Sequence, residues 1–573
     1  MKTRAGDGRV LLLIAAAAVI AVLPLVVHGP SYGHDFNFHL LNWMEAARQF
    51  SHGTLYPRWA YSPAYNAGEP RFVFYPPASW TLGALIGLVL THIPGLSAEA
   101  AWTAAPILFT WICLVAAGLS MYVAARRFAS TGAAAFAAVV YIVNPYMLFT
   151  AYERAAYAEL LAAAWVPLLL AAVLAPEVKA IRIALPIALL WLTNAPAAVI
   201  GCYATLVLVV LRIATAALEK PPRTADALHR IAVPTAVGTL LGFGLASFYL
   251  IPAAWERRFV QVSMATIVNM RIDHNFLFEH TGSSFEAVTH DAVLRTASWI
   301  AVSILVAAYL SLVACWRQGR TPQLSGGRNL LPVVPLLLAV ALVAFLMTGW
   351  SNPIWQNTPE LIFLQFPFRL LTAVAPIFAL ALAVAISQLR VKGSFISLAA
   401  LAVAAVLTVS MYKLFHQVPE PGHTVAAHLQ AFVQNEGAEP TDEYTPQTAD
   451  NDALTIGKPP YWLAPEPTAP ASAPAAPGPV SMHFTVQTER PEFLVLNLRD
   501  YPAWRVRLNQ HLDTERDQRD DGLIAFGVPA GNSRVDIRYA RGWDDIVGDG
   551  VSLIAVVILV AVARPKRTTA DPA

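Results

Sequence analysis

The sequence predicts a polytopic α-helical membrane protein with a small β-sheet domain near its carboxyl end. Composition is the first indication: 56% of the 573 residues are hydrophobic and only 13% are charged, whereas soluble domains carry roughly 25% charged residues. The second is that apolar runs of roughly 20 residues, enough to cross ~30 Å of hydrocarbon, recur along the chain. We expect no nucleic-acid partner, and the net charge of +2 by itself identifies no partner.

Twelve runs are predicted to span the membrane. In order they are 10–28, 101–125, 131–150, 158–175, 179–194, 195–213, 231–253, 296–316, 329–349, 369–388, 394–413 and 547–563. If these twelve runs all span the membrane, every basic cluster in the loops lies on the same side of the membrane. Because Lys and Arg collect in short cytoplasmic loops, we assign that side to the cytoplasm. We therefore expect a multi-pass membrane protein with both termini cytoplasmic.

The first span follows a basic leader (Lys2, Arg4 and Arg9). A cleaved signal peptide is an alternative, but no clear small-x-small cleavage site follows, so we interpret the span as an uncleaved anchor. A further apolar run, 76–90, is short and begins with Pro-Pro. Counting it as a span would place Arg126 and Arg127 outside, so we predict an interfacial or re-entrant helix in the first outer loop, 29–99.

Beyond the spans, the pattern changes to the alternation typical of half-buried β-strands. Phe493-Leu-Val-Leu-Asn-Leu and Ser533-Arg-Val-Asp-Ile-Arg-Tyr are two such runs, and Gly, Pro, Asn and Asp separate them. This pattern predicts an antiparallel β-sandwich. The predicted units are a membrane core (1–413), an outer segment with an Ala/Pro linker (414–480), the β-sandwich (481–546), and a final transmembrane helix with a cytoplasmic tail (547–573). Because the linker separates two closed units, we expect the core to fold without residues 481–545.

Asp35 directly follows the first span, where an unpaired carboxylate near lipid is costly. Its position favours catalysis or substrate binding, although Asp before Phe36 also suits a helix N-cap, and the two roles are compatible. His34 and His39 flank it. The spacing H-D-x-x-x-H is not an established ligand pattern for a single ion, so a metal site is not favoured.

Further polar residues are expected at the outer ends of later spans. Glu153, Arg154 and Glu159 follow the third span, where they form either a surface ion pair or a second acidic group that faces Asp35. Glu256 closes the seventh span, and His274 lies in the loop after it.

Arg369 opens the tenth span from the outer side, within Gln365-Phe-Pro-Phe-Arg369. Arginine at an outer end departs from the bias of basic residues towards the inside, and its planar fork suits phosphate. Tyr75 belongs to an aromatic-rich first loop. Such residues are typical of membrane interfaces and also stack on sugar rings.

These motifs together resemble a known family. G-H-D-x-x-F-H-L around Asp35, F-x-F-Y-P-P ending at Pro77, Q-F-P-F-R and Asp442-Glu-Tyr444-Thr-Pro resemble the GT-C superfamily of membrane glycosyltransferases, and more closely the bacterial YfhO-type membrane proteins. Some of these carry the label of a pyruvoyl-tetrahydropterin-synthase-related domain. The likeness covers nearly the whole chain and implies a GT-C-like fold of about twelve transmembrane helices in the bacterial inner membrane.

The resemblance implies roles for particular residues. Asp35 would be the catalytic base, Glu153 or Glu159 a supporting acid, and Arg369 a phosphate clamp. The side chains expected to bind substrate are His34, His39, Tyr75, Glu256, His274, Gln365, Arg369 and Tyr444. The second loop lacks the D-x-D of metal-using oligosaccharyltransferases. We therefore expect no cofactor, and a divalent metal is not favoured.

The expected function is transfer of a sugar, with inversion, from a polyprenyl-phosphate donor to an envelope glycan or lipid acceptor at the periplasmic face. Membrane lipid is the third expected partner. One alternative is a lipid-linked glycan flippase or transporter, which would need polar residues in mid-membrane, where the spans show few. The other is a non-enzymatic assembly factor for envelope polysaccharide, because fold alone does not determine function.

Overall fold

The computed structural model describes residues 5–219, 221–318, 331–389, 393–471, 476–512 and 515–563. Within these residues, nine helices are long and apolar enough to cross a membrane, or ten if one pair bent by 93° counts as a single span. The chain is thus a polytopic α-helical membrane protein with a sheet domain before its last helix. The predicted tail 564–573 and several of the basic residues used to assign sides (Lys2, Arg4, Lys220, Arg320, Arg328, Arg390 and Lys392) lie outside the described residues.

The amino-terminal part contains the first span and the first outer loop. Its helices are α1 (Ala5–His28), α2 (Phe36–Ser51), α3 (Arg71–Phe74) and α4 (Pro77–Thr91). The 15 residues of α4 rise only about 22 Å, which is less than the ~30 Å of hydrocarbon. The run 76–90 therefore forms the short helix that its Pro-Pro start predicts. It packs between α2 and α5 (Ala98–Ala125), with Gly83 against the Trp43 ring.

The middle of the core contains both full-length and short helices. They are α6 (Thr131–Val143), α7 (Pro145–Tyr152), α8 (Tyr157–Ala162), α9 (Val166–Val173), α10 (Ala180–Thr193), α11 (Ala195–Ala217), α12 (Thr224–Ala227), α13 (Val233–Leu245) and α14 (Ser247–Glu256). Two of the predicted spans in this part of the chain differ from prediction. The run 158–175 is interrupted between α8 and α9, and α10 has only 14 residues.

The remaining core helices are α15 (Phe285–Gln318), α16 (Val333–Leu346), α17 (Asn352–Asn357), α18 (Leu371–Ser387) and α19 (Gly393–Phe415), and α20 (Val425–Val433) follows them. The predicted span 329–349 is part of the bent pair, because the chain turns sharply between α16 and α17. A short 3₁₀ turn, Pro367–Leu370, leads into α18 and carries Arg369.

The carboxyl-terminal domain is a sandwich of two antiparallel sheets, followed by α21 (Trp543–Ala563). The strands are β1 (Tyr461–Ala464), β2 (His483–Thr488), β3 (Glu492–Arg499), β4 (Trp504–Leu508), β5 (His511–Leu512), β6 (Leu523–Val528) and β7 (Gly531–Tyr539), in orders β1-β3-β6 and β2-β7-β4-β5. Strand β1 pairs with β3, so the domain extends back beyond the predicted boundary at 481. The Ala/Pro segment connects β1 to β2 rather than preceding the sandwich.

The sandwich shares its hydrophobic core with the first outer loop. Trp59 is buried among Tyr501, Trp504 and Tyr539, and Arg58 makes a buried ion pair with Asp545 at the start of α21. This shared packing argues against a membrane core that folds without residues 481–545. The deletion would uncover Trp59 and leave Arg58 buried without its partner.

Contacts group the predicted outer segments at one end of the molecule. The backbone N–H of Tyr32 donates to the carbonyl oxygen of Gln417 (3.0 Å), and Arg257 pairs with Glu360 (3.1 Å). At the other end, Arg127 donates to the carbonyl oxygen of Ala171 (2.9 Å). These segments therefore group as predicted, and the cellular orientation of each end stays a prediction.

Candidate active site

Asp35 lies where the first outer loop meets the turn after α7. The backbone N–H groups of His34 and Asp35 donate to the carbonyl oxygens of Glu153 (3.2 Å) and Arg154 (2.8 Å). Gly33 permits this approach, because a Cβ atom there would lie 2.4 Å from the Glu153 carbonyl oxygen. The close approach of the two backbones is therefore what places Asp35.

The Asp35 carboxylate is not occupied in capping α2. Asp35 precedes the first residue of the helix, yet its side chain makes no capping hydrogen bond. Within the described chain, no hydrogen bond or ion pair engages this carboxylate, and the residue is only partly buried. The N-cap alternative thus has no support in the side-chain geometry, and the carboxylate is free to accept a proton or a substrate hydroxyl.

The packed rings of His39, Tyr75 and Tyr157 lie near Asp35. The His39 ring is buried and contacts Tyr75 and Tyr157 edge-on, with ring centres 5.8 Å and 5.3 Å apart. Burial lowers the pKa of His39 to about 4, against the opposing effect of the Asp35 charge. Burial, and then the Asp35 charge, raise the pKa of Tyr75. At neutral pH both the His39 ring and the Tyr75 hydroxyl are therefore uncharged.

Glu159 is held in a buried network rather than directed at a substrate. It forms an ion pair with Arg154 (2.7 Å), accepts a short hydrogen bond from the Tyr146 hydroxyl, and lies 3.7 Å from Nε of Arg369. The Tyr146 hydroxyl lies 3.3 Å from Oγ1 of Thr372. Two guanidinium groups therefore share this one carboxylate, which leaves an excess of one positive charge in the network.

Glu153 occupies a separate position on the same turn. Its Oε2 accepts a hydrogen bond from Nε2 of Gln417 (2.8 Å), and its Oε1 lies 3.7 Å from Nε2 of His34. Burial raises the pKa of Glu153, opposed by the Gln417 hydrogen bond. These contacts tie the end of α19 to the turn. They indicate a positioning role for Glu153. The His34 side chain, in contrast, is exposed to solvent.

Arg369 is held in place by hydrogen bonds from one of its terminal nitrogens. Its Nη1 donates to the carbonyl oxygen of Leu364 and to Oε1 of Gln365, both at 3.0 Å, while its buried Nε has no hydrogen-bond partner among the described residues. Gln365 in turn donates to the carbonyl oxygen of Ala265 (2.6 Å) and has a φ of 61°. Gln365 therefore orients Arg369, and we reassign it from substrate contact to positioning residue.

The other residues predicted to bind substrate lie in a second group. Glu256 accepts a hydrogen bond from the Tyr501 hydroxyl (2.5 Å), and Tyr444 stacks on Phe74 with ring centres 5.9 Å apart. The first contact joins the end of α14 to the sandwich. The second joins the first outer loop to the segment 414–480. Burial raises the pKa of Glu256 to about 7. His274 lies in a 3₁₀ turn of the 254–295 loop, and its Nδ1 is buried without a partner in the described chain.

Potential metal ligands do not converge on Asp35. Within the described residues, the one group of three or more His, Cys, Asp or Glu ligand atoms within 4.8 Å is Glu256, Asp544 and Asp545. Asp545 in that group is already paired with Arg58.

An apolar cavity of about 240 Å³ lies between α9, α11, α16 and α18. Leu170, Leu208, Val343 and Ile377 are among its lining residues, and Thr372 connects it to the Tyr146–Glu159 network. A cavity of this chemistry accepts hydrocarbon and excludes charged groups. Through Thr372 and Tyr146 this apolar space borders the network that contains Arg369.

Sequence reasoning missed Tyr146, Thr372 and Gln417 as parts of this site. Tyr146 carried a signal, because it follows Asn144-Pro145, a break within an otherwise apolar span. Thr372 and Gln417 carried no such signal in the sequence, since single polar residues near span ends are common. Their roles emerge only from contacts between distant parts of the chain.

Comparison with solved structures finds similarity to the cryo-EM structure of the arabinofuranosyltransferase AftD from mycobacteria. The TM-score is 0.40, with 18% sequence identity over 73% of this chain. The match covers 28% of the AftD chain. No protein-family model and no curated protein matches, so the closer resemblance to YfhO-type proteins stays a prediction.

Proposed function

We propose that this protein transfers a sugar from a polyprenyl-phosphate donor to a glycan or lipid acceptor at the outer face of a bacterial inner membrane. The observation that carries the proposal is the free Asp35 carboxylate held by the backbone beside Arg154, which shares the carboxylate of Glu159 with Arg369. A phosphodiester of a lipid-linked sugar carries one negative charge, which the two guanidinium groups would attract and hydrogen-bond.

Two features support the donor class. The buried Nε of Arg369 makes no hydrogen bond within the described residues, and planar guanidinium groups suit phosphate oxygens. The apolar cavity next to Thr372 offers space for hydrocarbon. A lipid phosphate with its chain in this cavity would bring its charged end towards the network of Arg369.

The chemistry then needs one base. Asp35 accepts the proton of an acceptor hydroxyl as the oxygen attacks the anomeric carbon, and the bond from that carbon to the phosphate oxygen breaks. The guanidinium groups stabilise the leaving phosphate where its charge develops. Attack opposite the leaving group inverts the anomeric centre. The neutral His39 and Tyr75 leave Asp35 as the proton acceptor.

The test is donor turnover by protein reconstituted into liposomes. A panel of radiolabelled polyprenyl-phosphate pentoses and hexoses is offered with membrane-extracted glycan and lipid acceptors, and release of polyprenyl phosphate is measured. We expect release with at least one donor, together with thermal stabilisation of the protein by polyprenyl phosphate alone. Absence of both turnover and stabilisation across the panel would reject the proposal.

A further inference from the structure

The outward face of the four-stranded sheet carries arginine at alternate positions of two neighbouring strands. Successive side chains of a strand point to opposite faces. Strand β4 exposes Arg505 and Arg507 on this face, and β7 exposes Arg534 and Arg538, while Val506, Val535 and Ile537 are buried beneath them. The alternation therefore concentrates four positive charges on one exposed surface, which we call the arginine face.

The strand register sets two of these charges against each other. Arg505 lies directly opposite Arg538 in the β4–β7 pairing. Like charges in such a position destabilise a sheet. Within strands β2, β4, β5 and β7 the one acidic residue is Asp536, which lies opposite Arg507 and pairs with His483 and Arg534. The Arg505–Arg538 pair therefore has no acidic partner within these strands, and an anionic ligand would supply one.

A cleft of about 620 Å³ continues from Arg505 towards the outer end of α14. Its lining includes Arg258, Phe259, Trp504, Arg505 and Arg516. Arg516 is paired with Asp500, but the Arg258 guanidinium lies 3.4 Å above the Trp255 ring and makes no hydrogen bond within the described chain. The volume is within the range of small-molecule sites, roughly 300–1,000 Å³. Arg505 donates from Nη1 to the carbonyl oxygen of Pro502 (2.6 Å). Among the described residues that line the cleft, Arg258 is thus the arginine whose guanidinium makes no hydrogen bond, and it lies next to the aromatic ring of Phe259.

We propose that the cleft and the arginine face together bind an acidic saccharide chain, one whose sugars carry carboxylate or phosphate groups. Guanidinium groups match both anions with paired hydrogen bonds, and aromatic faces pack against the apolar side of sugar rings. The choice of a saccharide over another polyanion rests on the proposed function. A chain held here extends from the sandwich to the end of α14, and so towards the membrane core that contains Asp35.

The test uses the full-length protein in nanodiscs of zwitterionic lipid and measures binding directly, without turnover. The probe is a tetragalacturonate, and its methyl-esterified form is the neutral ligand with the same backbone. We expect the acidic form to bind, with an affinity that falls as salt rises, and the neutral form to bind at least tenfold more weakly. Arg258→Gln and Arg505→Gln should each weaken binding by about threefold to tenfold.

Two variants distinguish arginines that bind a ligand from arginines that stabilise the sheet. Arg490→Gln removes one exposed arginine from the β2–β3 turn, away from the cleft lining, and should leave binding unchanged. Arg538→Gln should weaken binding while the protein melts at the same or a higher temperature, because the repulsion with Arg505 is relieved. A loss of stability in Arg538→Gln would show that the arginine pair is structural and would overturn the inference.

Three further results would also overturn it. These are equal binding of the neutral ligand, an equal loss of binding in Arg490→Gln, and binding of anionic-lipid vesicles with no binding of the tetragalacturonate. Repeating the measurement on Asp35→Asn protein keeps the two proposals apart. If donor turnover is absent from the native protein while the acidic saccharide binds, the proposed transfer fails and the binding site stands.

Discussion

The backbone N–H of Asp35 donates a hydrogen bond to the carbonyl oxygen of Arg154, with a nitrogen-to-oxygen distance of 2.8 Å. This bond joins the first outer loop to the turn after α7, so a carboxylate and a guanidinium group are held together by main-chain atoms. Substitution of either side chain leaves the bond intact. Changes in activity on side-chain substitution at Asp35 therefore report on chemistry rather than on loop position.

Asp35→Asn is expected to lower the rate of sugar transfer by roughly 10²–10⁴, because the amide does not accept the acceptor's proton. Thermal stability should not change, since the Asp35 side chain caps no backbone group. The measurement is single-turnover transfer, together with the melting temperature of the protein in detergent. Asp452→Asn, an exposed substitution of the same type, is the control. Near-normal transfer by well-folded Asp35→Asn protein would remove Asp35 from the catalytic role.

Arg369→Lys is expected to lower kcat/KM for transfer by about tenfold to a hundredfold although the charge is kept, because the lysine loses the planar fork. Arg257→Lys is the matched control, since Arg257 forms an exposed pair with Glu360. The measurement is steady-state transfer alongside binding of polyprenyl phosphate. Full donor binding by Arg369→Ala would show that the phosphate lies elsewhere.

Gly33→Ala is expected to lower kcat with little change in overall folding. The new Cβ atom would lie 2.4 Å from the Glu153 carbonyl oxygen, so the loop must move away from the turn and carry Asp35 with it. A shift of about 1 Å is enough to cost roughly a hundredfold in rate. Gly527→Ala is the control, because its Cβ atom meets nothing within 4 Å. Unchanged kcat in Gly33→Ala would mean that the close approach does not position Asp35.

The stability of the protein is expected to fall as pH falls from about 6.5 to 4 through His39. Burial lowers the His39 pKa to about 4, below the ordinary value of 6.5, so the unfolded chain takes up a proton first. The stabilisation is complete above pH 6.5 and is lost at up to about 1.4 kcal/mol per pH unit within the window. His39→Gln should flatten this part of the melting-temperature profile, whereas the exposed His92→Gln should not. Identical profiles for His39→Gln and the native protein would contradict the prediction.

Single cysteines at Arg223 and Arg490, in a background without Cys113, Cys202 and Cys315, are expected to label from opposite sides of the membrane. Arg223 lies in the predicted cytoplasmic loop between α11 and α12, and Arg490 lies in the outer sandwich. The measurement is labelling of intact cells by an impermeant maleimide, before and after permeabilisation. Labelling of both positions in intact cells would refute the predicted topology.

The sequence by itself was sufficient for the class of protein and for most spans. Long apolar runs satisfy their own backbone hydrogen bonds as helices in lipid, so composition and length predict them with little tertiary information. Strands β3 and β7 were equally visible, because alternation follows directly from the two faces of a strand. The interruption between α8 and α9 was not visible, since an apolar run reads the same whether its helix is continuous or broken.

The same distinction applies to the candidate site: the sequence indicated some of its residues, and only the structure revealed the others. The sequence singled out Asp35 and Arg369 because each is a charged residue at the end of an apolar run. A charge close to lipid costs free energy, and its position next to such a run can be recognised from the sequence alone. Only the tertiary structure decided that Glu159 lies between Arg154 and Arg369, that Gln417 reaches Glu153, and that Trp59 belongs to the sandwich core. Most of those pairings join residues far apart in the chain, and they depend on which helix ends and strands pack together, which local composition does not encode.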